Sequence, residues 1–354
     1  MESSNTRRLV LLPALAVALL VAALWRFGSH HAPMTEPLRL SGAAWTTTWS
    51  VIIADPPANQ EGFADRAREA IEAQFEAVEG LMSRFKADSV VARFNRHASS
   101  TPFPVPPALL PTIALAIEVG RATGGAYDLT VAPLMDLWGF GAGRGRTTLP
   151  DEAEIAAVRA RVGQELLTVI DDPPALQKSV ADLELDLSSI AKGYGVDQIA
   201  AALEALGAKS HMVEIGGDIR VGAPKPDGGL WRIGIERPLI DRREIHRVVE
   251  LSDMAVVTSG EYRNIVEIDG RRMSHTIDPR SGRPASHPMG SVTVFSETAQ
   301  EADAWATALN ALGPASGLAL ADELGLAVLF LTEGEDGIME RESVAFERLF
   351  GTQN

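Results

Sequence analysis

The sequence predicts an α+β fold in which mixed or antiparallel sheets pack against helices. Helical patterns concentrate in the first half of the chain, whereas short segments rich in valine and isoleucine dominate the second half, with one more helix at 300–312. Helices followed by strands are typical of α+β folds, because a parallel sheet needs strands and helices that alternate. The 354 residues, 46% of them hydrophobic, are enough to bury a substantial core.

Three helices and one strand are predicted before residue 207. The segment 46–53 is rich in threonine, valine and isoleucine, as strands are. Apolar residues recur every three or four positions over 62–85, which is the spacing of an amphipathic helix. A second helix begins near the proline pair 106–107 and ends before the glycine pair 124–125. A third is predicted over 193–206.

The second half predicts strands separated by turns. Glycine, proline and aspartate lie between the apolar segments, as expected where the chain reverses. The predicted strands are 211–215, 231–236, 246–251, 264–268, 291–295 and 326–331.

The N-terminus predicts an export segment. An arginine pair at 7–8 precedes the uncharged apolar run 9–25. A positive flank before an apolar run is typical of a signal peptide, but this run also approaches the roughly 20 residues that a membrane-spanning helix needs. We therefore expect 1–31 to be a signal peptide or a membrane anchor. The body of the chain is then exported and periplasmic, either free or anchored in the inner membrane.

The rest of the chain is expected to be a linker, 32–41, and one folded domain, 42–350. The formal net charge is −15, and the first 31 residues are net positive, so the body is more acidic still. Nucleic-acid binding relies on basic residues that neutralise phosphates, so we expect no nucleic-acid partner. The chain has no cysteine, which excludes disulfides, thiolate metal sites and a lipid-modified cysteine after the signal.

Two segments carry residues suited to a phosphate and metal site. The stretch LDLSSIAKGYGVD, 185–197, places an acid, two hydroxyls and a lysine just ahead of a helical pattern. In EADAWATALN, 301–310, Asp303 and Thr307 share one helical face. A carboxylate and a hydroxyl are hard oxygen ligands that suit Mg²⁺ rather than zinc. Taken alone, the pair is more simply explained as a solvated aspartate beside a threonine that bonds its own helix.

The order and spacing of seven segments resemble the ApbE family of FAD:protein FMN transferases. The resemblance runs from about residue 42 to 332. Its blocks are SRF…N, GGAYDLTVAPLMDLWGFG, LDLSSIAKGYGVD, EIGGDI, TSGEYRN, SHTIDPRSGRP and EADAWATALNALG. The resemblance implies an enzyme that binds FAD as its substrate and cleaves the pyrophosphate with Mg²⁺. It also implies transfer of FMN to a threonine of a partner, an exported or membrane-bound electron-transfer protein, with release of AMP.

The resemblance also implies which residues bind the metal and FAD. The implied metal ligands are the Ser189 carbonyl and the side chains of Asp303 and Thr307, and Ala306 lies where some members carry a further metal-binding aspartate. The residues implied to contact FAD are Trp45, Phe85, Ala126, Tyr127, Asp128, Asp186, Lys192 and Ile277.

The loop SHTIDPRSGRP supplies the candidate catalytic residues. His275 is the candidate base that deprotonates the target threonine, since the ordinary pKa of histidine lies near neutral pH, and a purely positioning role is the alternative. Asp278 is expected to orient the loop or the histidine.

Two other functions stay open at this point. If water replaces threonine as the acceptor, the protein is an FAD pyrophosphatase that yields FMN and AMP. A non-catalytic FAD-binding accessory of a respiratory complex would need the groove but no divalent metal. The substitution Asp303→Ala discriminates, because it spares a carrier and disables a transferase.

Overall fold

An eight-stranded antiparallel sheet lies at the centre of the fold. The computed structural model describes residues 36–351, except 58–60, 142–145, 147, 261–264, 270, 288–289 and 335–336. The described residues from Pro37 onward belong to one compact unit. In order across the sheet, the strands are β1 (Leu38–Ala44), β2 (Thr47–Ile53), β6 (His211–Ile215), β7 (Asp218–Val221), β10 (Met254–Gly260), β15 (Gly290–Ser296), β16 (Ala327–Gly334) and β17 (Gly337–Glu342). Every neighbouring pair is antiparallel.

Shorter strands form four smaller antiparallel sheets. One has three strands, in the order β3 (Phe103–Pro104), β5 (Ala175–Lys178) and β4 (Leu167–Ile170). The others are the two-stranded pairs β8 (Trp231–Glu236) with β9 (Ile245–Leu251), β11 (Ile265–Ile268) with β12 (Arg271–Ser274), and β13 (Ile277–Asp278) with β14 (Arg283–Pro284).

The described residues also form eight α-helices. They are α1 (Phe63–Met82), α2 (Val90–Arg96), α3 (Leu110–Ala122), α4 (Ala132–Leu137), α5 (Glu152–Arg159), α6 (Ser188–Ala205), α7 (Ala299–Leu324) and α8 (Val344–Phe350). Short 3₁₀ turns, Pro107–Leu109 and Gln164–Leu166, precede α3 and β4. None of the described helices is both long and apolar enough to cross a membrane, and the predicted export segment lies outside the described residues.

Both faces of the central sheet are buried. On one face, Val292 and Val294 of β15 pack in a core with residues of α3 and α7. On the other face, Phe295 packs with Trp231 of β8 and Phe346 of α8. Successive residues of a strand point to opposite faces, so a strand covered on both sides favours a continuous apolar run, as β16 has. β15 is also buried on both faces, but Ser291 and Thr293 interrupt its apolar residues.

The α+β class with antiparallel sheets, predicted from sequence, is confirmed, and each predicted strand corresponds to an observed one. Several boundaries differ, among them the following three. The structure places β1 over part of the predicted linker, where residues 38–41 pair with β2. The helix predicted to begin at 193 begins at Ser188, and the helix predicted to end at 312 continues to Leu324 after a break at Gly313.

The glycines inside α6 have a packing reason. Glycine is a poor helix former, yet Gly193 and Gly195 both lie within this helix. In the fold, a Cβ at position 193 would lie 2.2 Å from the carbonyl oxygen of Ala299. The glycine therefore allows the backbones of α6 and α7 to touch, and that contact brings their polar residues to one place.

Candidate active site

A cavity of about 550 Å³ lies where α6 and α7 meet the ends of several strands. Its wall also includes the turn between β6 and β7, the C-terminal end of β10 and the segment around His275. This volume lies within the range typical of small-molecule sites.

The most strongly charged part of the wall is a lysine held between two carboxylates. Lys192 Nζ lies 2.5 Å from Asp218 Oδ2 and 3.4 Å from Asp303 Oδ1. Both carboxylates are buried, and Asp303 Oδ2 also accepts a hydrogen bond of 3.0 Å from the amide of Gly193. The close contact of α6 with α7 at Gly193 therefore fixes Asp303 beside Lys192.

Burial and charge shift the pKa values of this cluster. Burial lowers the pKa of the Lys192 ammonium, but Asp218 and Asp303 outweigh that effect and raise it, so the lysine stays protonated. Burial raises the pKa of the Asp218 carboxyl, and the neighbouring Asp303 raises it further against the effect of Lys192. One cation therefore faces two buried carboxylates, which repel each other when both are ionised, and a second cation would relieve that repulsion.

Asp218 is presented by a glycine turn that Glu214 braces. Gly216 and Gly217 both have positive φ, 59° and 99°, a backbone conformation that favours glycine. The Glu214 carboxylate accepts a hydrogen bond of 2.8 Å from the Gly217 amide and one of 3.1 Å from the Ser50 hydroxyl. The glutamate before this glycine pair thus holds the turn, a role that sequence reasoning did not identify.

A buried arginine fixes a third carboxylate at the cavity. Arg84 Nη1 donates to Asp186 at 2.9 Å, and its Nη2 donates to Asp136 at 2.6 Å. The Asp186 carboxylate also accepts from the amide of Ser188, the first residue of α6, at 2.9 Å. Asp186 lines the cavity with both carboxylate oxygens already engaged.

The segment after α3 places Tyr127 and Asp128 in the opposite part of the wall. The Ser189 hydroxyl donates to the Tyr127 hydroxyl at 3.0 Å, and burial raises the pKa of that phenol. The Asp128 carboxylate accepts from the amide and hydroxyl of Thr130 and from the Gln164 amide. Burial nevertheless raises the pKa of Asp128. Asp128 is one of the residues that the resemblance implies to contact FAD, and in this structure its carboxylate accepts hydrogen bonds from its own chain.

The loop that carries His275 closes another side of the cavity. His275 and Ile277 line it, and Ile277 also packs with Trp138. The Asp278 carboxylate forms a charge-assisted pair with Arg280, with Nη2–Oδ2 at 2.8 Å, and also accepts from the Arg280 amide. These bonds lie within the loop, and the role of Asp278 in orienting the loop or His275 stays a prediction.

The cavity brings together most of the residues that the sequence singled out. It is lined by Ala126, Tyr127, Asp128, Asp186, Ser189, Lys192, His275, Ile277, Asp303 and Thr307. Their roles with FAD and metal stay predictions.

Four predicted residues lie outside this lining: Trp45, Phe85, Asp278 and Ala306. Trp45 forms the tight turn between β1 and β2 with φ of 50° and packs edge-on against Phe75, with ring centroids 4.9 Å apart. Phe85 is 64% exposed, beneath the guanidinium of Arg84. Ala306 is fully buried in the apolar core, so its position offers the cavity no ligand atom.

Sequence reasoning missed Asp218 and Arg84. Asp218 lies in the EIGGDI block and Arg84 in the SRF block, and neither residue was assigned a role. The only local signal for Asp218 was a carboxylate directly after a glycine pair. Its lysine partner is 26 residues away in the chain, so the pair exists only after folding.

The fold and the cavity define an α+β protein with an acidic, oxygen-rich site built around a protonated lysine. The model of the ApbE family matches residues 45–330. A relative from Vibrio cholerae named FAD:protein FMN transferase is 40% identical over 314 residues, which cover 88% of this chain and 92% of the relative. One of the same name from Escherichia coli is 37% identical over 339 residues, with 94% and 96% covered.

Solved structures agree with this assignment. The flavin transferase ApbE from Vibrio cholerae matches with a TM-score of 0.81 and 38% identity, covering 89% of this chain and 99% of that chain. The apo form of the flavinyl transferase ApbE from Pseudomonas stutzeri matches with a TM-score of 0.80 and 37% identity, covering 91% and 99%. The chain belongs to the ApbE family, as the sequence blocks predicted.

Proposed function

We propose that this chain is an FAD:protein FMN transferase, which moves FMN from FAD to a threonine hydroxyl of an acceptor protein. The observation that carries the proposal is the lysine held between Asp218 and Asp303 at the wall of a nucleotide-sized cavity, in a chain whose relatives bear that name. Pyrophosphate cleavage needs charge neutralisation and positioning more than covalent chemistry, and such a cluster suits it.

The residues present fit a magnesium ion. Asp303 and Thr307 on one face of α7, with the Ser189 carbonyl, form an all-oxygen donor set, which is what Mg²⁺ prefers. The buried carboxylates of Asp218 and Asp303 outnumber the one lysine between them, so a bound cation would relieve their repulsion. When bound, Mg²⁺ would screen the pyrophosphate charge. Within the described residues, no group of three or more His, Asp or Glu side chains is arranged for a metal, in keeping with a set that has one carboxylate.

The reaction exchanges a phosphoanhydride bond of FAD for a phosphoester bond to the acceptor. The threonine oxygen of the acceptor bonds to the phosphorus of the FMN half, and the bond from that phosphorus to the bridging oxygen breaks. AMP leaves with the bridging oxygen and the electron pair. His275 at the cavity wall accepts the threonine proton, and Lys192 stays protonated to hold the negative phosphates.

The acceptor is proposed to be an exported or membrane-bound electron-transfer protein. The proposal extends to export of this chain to the periplasm, with residues 1–31 as a signal peptide or an inner-membrane anchor. The support for export is the sequence pattern of an arginine pair before an apolar run.

The test incubates the purified chain with FAD and an acceptor domain that carries such a threonine, with and without Mg²⁺. The readout is in-gel flavin fluorescence and the mass of the acceptor. We expect the acceptor to gain one FMN on threonine only when Mg²⁺ is present, with equal release of AMP. An acceptor threonine→valine variant serves as the matched control and should stay unlabelled.

Two outcomes would contradict the proposal. Release of FMN and AMP without acceptor labelling would identify an FAD pyrophosphatase. Bound, intact FAD with neither product would identify a carrier.

A further inference from the structure

Helix α7 breaks just beyond the residues assigned to the metal. Gly313 has φ of 76° and ψ of 169°, and Pro314 follows it. Proline has no amide hydrogen, so the carbonyl of Asn310, four residues earlier, loses its helical donor. His287 Nε2 donates to that carbonyl instead. The break therefore fixes Asn310 from outside its own helix.

Asn310 lies on the same helical face as the two residues assigned to Mg²⁺. It follows Asp303 by seven residues and Thr307 by three, which are spacings of one face. Its side chain is buried, and Nδ2 donates a 3.0 Å hydrogen bond to the hydroxyl of Thr276, which is also buried. Thr276 is the residue directly after His275.

The backbone of Thr276 is held as firmly as its side chain. Its amide donates to the Ser274 hydroxyl at 3.0 Å, and its carbonyl accepts from the Ala285 amide at 2.8 Å. The side-chain bond to Asn310 is a direct tie from this segment to α7. One helix thus carries the metal-side pair and, two turns later, an anchor for the loop that holds His275.

We propose that Asn310 is a positioning residue for His275. The Asn310–Thr276 hydrogen bond sets the distance between the base and the residues of α7 that face the pyrophosphate. The inference rests on the proposed function for its kinetic consequence, because a misplaced base slows transfer without weakening FAD binding. A displacement of about 1 Å can cost on the order of 100-fold in rate.

The test compares Asn310→Leu, Thr276→Val and the double variant in the full chain. Each single variant leaves one buried polar group without its partner and should lower thermal stability, whereas the double variant replaces both by apolar groups and should recover much of it. We expect the double variant to remain roughly 10- to 100-fold slower in kcat, with KM for FAD within about twofold of wild type. Thr276→Ser, which keeps the hydroxyl, should transfer at nearly the wild-type rate.

Two controls separate positioning from a structural defect. Thr112→Val removes another buried hydrogen bond to α7, from Gln300 at 2.7 Å, at a residue outside the cavity lining, and should leave kcat unchanged. In a His275→Ala background, Asn310→Leu should lower the residual rate no further. A double variant with recovered stability and wild-type kcat would overturn the inference.

Amide hydrogen exchange tests the anchor without any activity. We expect exchange over 274–285 to accelerate in Asn310→Leu and to stay unchanged in Thr112→Val. If the wild-type chain transfers no FMN, the proposed function fails. Unchanged exchange over 274–285 in Asn310→Leu would overturn the inference whether or not the chain transfers FMN.

Discussion

The two sides of the cavity are built by different means. On the helical side, α6 and α7 touch through their backbones at Gly193, and this contact places Lys192 beside Asp303. On the loop side, the chain around His275 has two very short strands, β13 and β14, and depends on single hydrogen bonds from Asn310 and Trp138.

This difference predicts which property a substitution on each side should change. Regular elements in backbone contact hold their side chains through many interactions at once, so a fault there is costly to the whole fold. A loop tied by a few side-chain bonds can shift locally while the rest of the fold stays intact. We therefore expect changes on the helical side to reduce stability or metal-dependent chemistry, and changes on the loop side to reduce the rate.

The largest effect is expected at the metal side. Asp303→Ala removes the carboxylate assigned to Mg²⁺ and should reduce FMN transfer by roughly 100-fold or more, while FAD binding is partly retained. Transfer assays and FAD titration measure the two. Asp65→Ala, at an exposed aspartate in the first turn of α1, is the control that should transfer normally. An Asp303→Ala protein with wild-type transfer would refute the metal assignment.

The next effect is on stability. Gly193→Ala places a methyl group against the carbonyl of Ala299 and should destabilise the fold by about 2–3 kcal/mol, because both helices must move apart. Gly80→Ala is the matched control, since its Cβ would meet nothing within 4 Å and helical alanine is favoured over glycine by ~1 kcal/mol. Chemical denaturation of both variants measures their free energies of unfolding. Equal stability of the two variants would show that the backbones can separate at no cost.

A smaller effect is expected on the loop side. Trp138→Phe removes the 2.8 Å hydrogen bond from Nε1 to the Gly282 carbonyl and should cost about 1 kcal/mol. It should slow transfer severalfold without altering the Mg²⁺ requirement. Trp231→Phe loses an equivalent bond of 3.0 Å to Ala223 and should match it in stability but transfer normally. A changed Mg²⁺ requirement in Trp138→Phe would mean that the two sides are not separable.

The smallest effect lies outside both sides and appears only as a pH dependence. His211 is buried, its Nδ1 bonds the Ala208 carbonyl, and its Nε2 has no hydrogen-bond partner among the described residues. Burial lowers the pKa of this imidazole below its ordinary value of 6.5, so the unfolded chain takes up the proton first. The contribution of neutral His211 to the free energy of unfolding should therefore be fully present above pH 6.5 and should fall as the pH drops below that value.

Urea denaturation of wild type and His211→Gln at several pH values tests this dependence. The free energy of unfolding should fall less steeply with acid in the variant, which has no imidazole to charge. Parallel pH profiles would mean that His211 is charged as easily in the fold as in the unfolded chain.

Local patterns predicted the elements well where periodicity is undisturbed. The alternation and apolar runs of 211–215 and 231–236 predicted β6 and β8 to the residue. The local patterns failed where residues contact elements that are distant in the sequence. The start of α6 was placed at Gly193, five residues too late, because Ser188, Ser189 and Lys192 interrupt the apolar periodicity before it. The break at Gly313 was taken for a helix end because propensity cannot show that a second helical segment follows.

The sequence by itself determined the family and ten residues of the cavity wall, because short blocks such as LDLSSIAKGYGVD keep their chemistry in a local order that can be recognised without a structure. Only the tertiary structure decided that Asp218 pairs with Lys192 and that Asn310 anchors Thr276. The partners in those bonds are 26 and 34 residues apart. Hydrophobic periodicity encodes which face of an element is buried, but it carries no information about which distant face it meets.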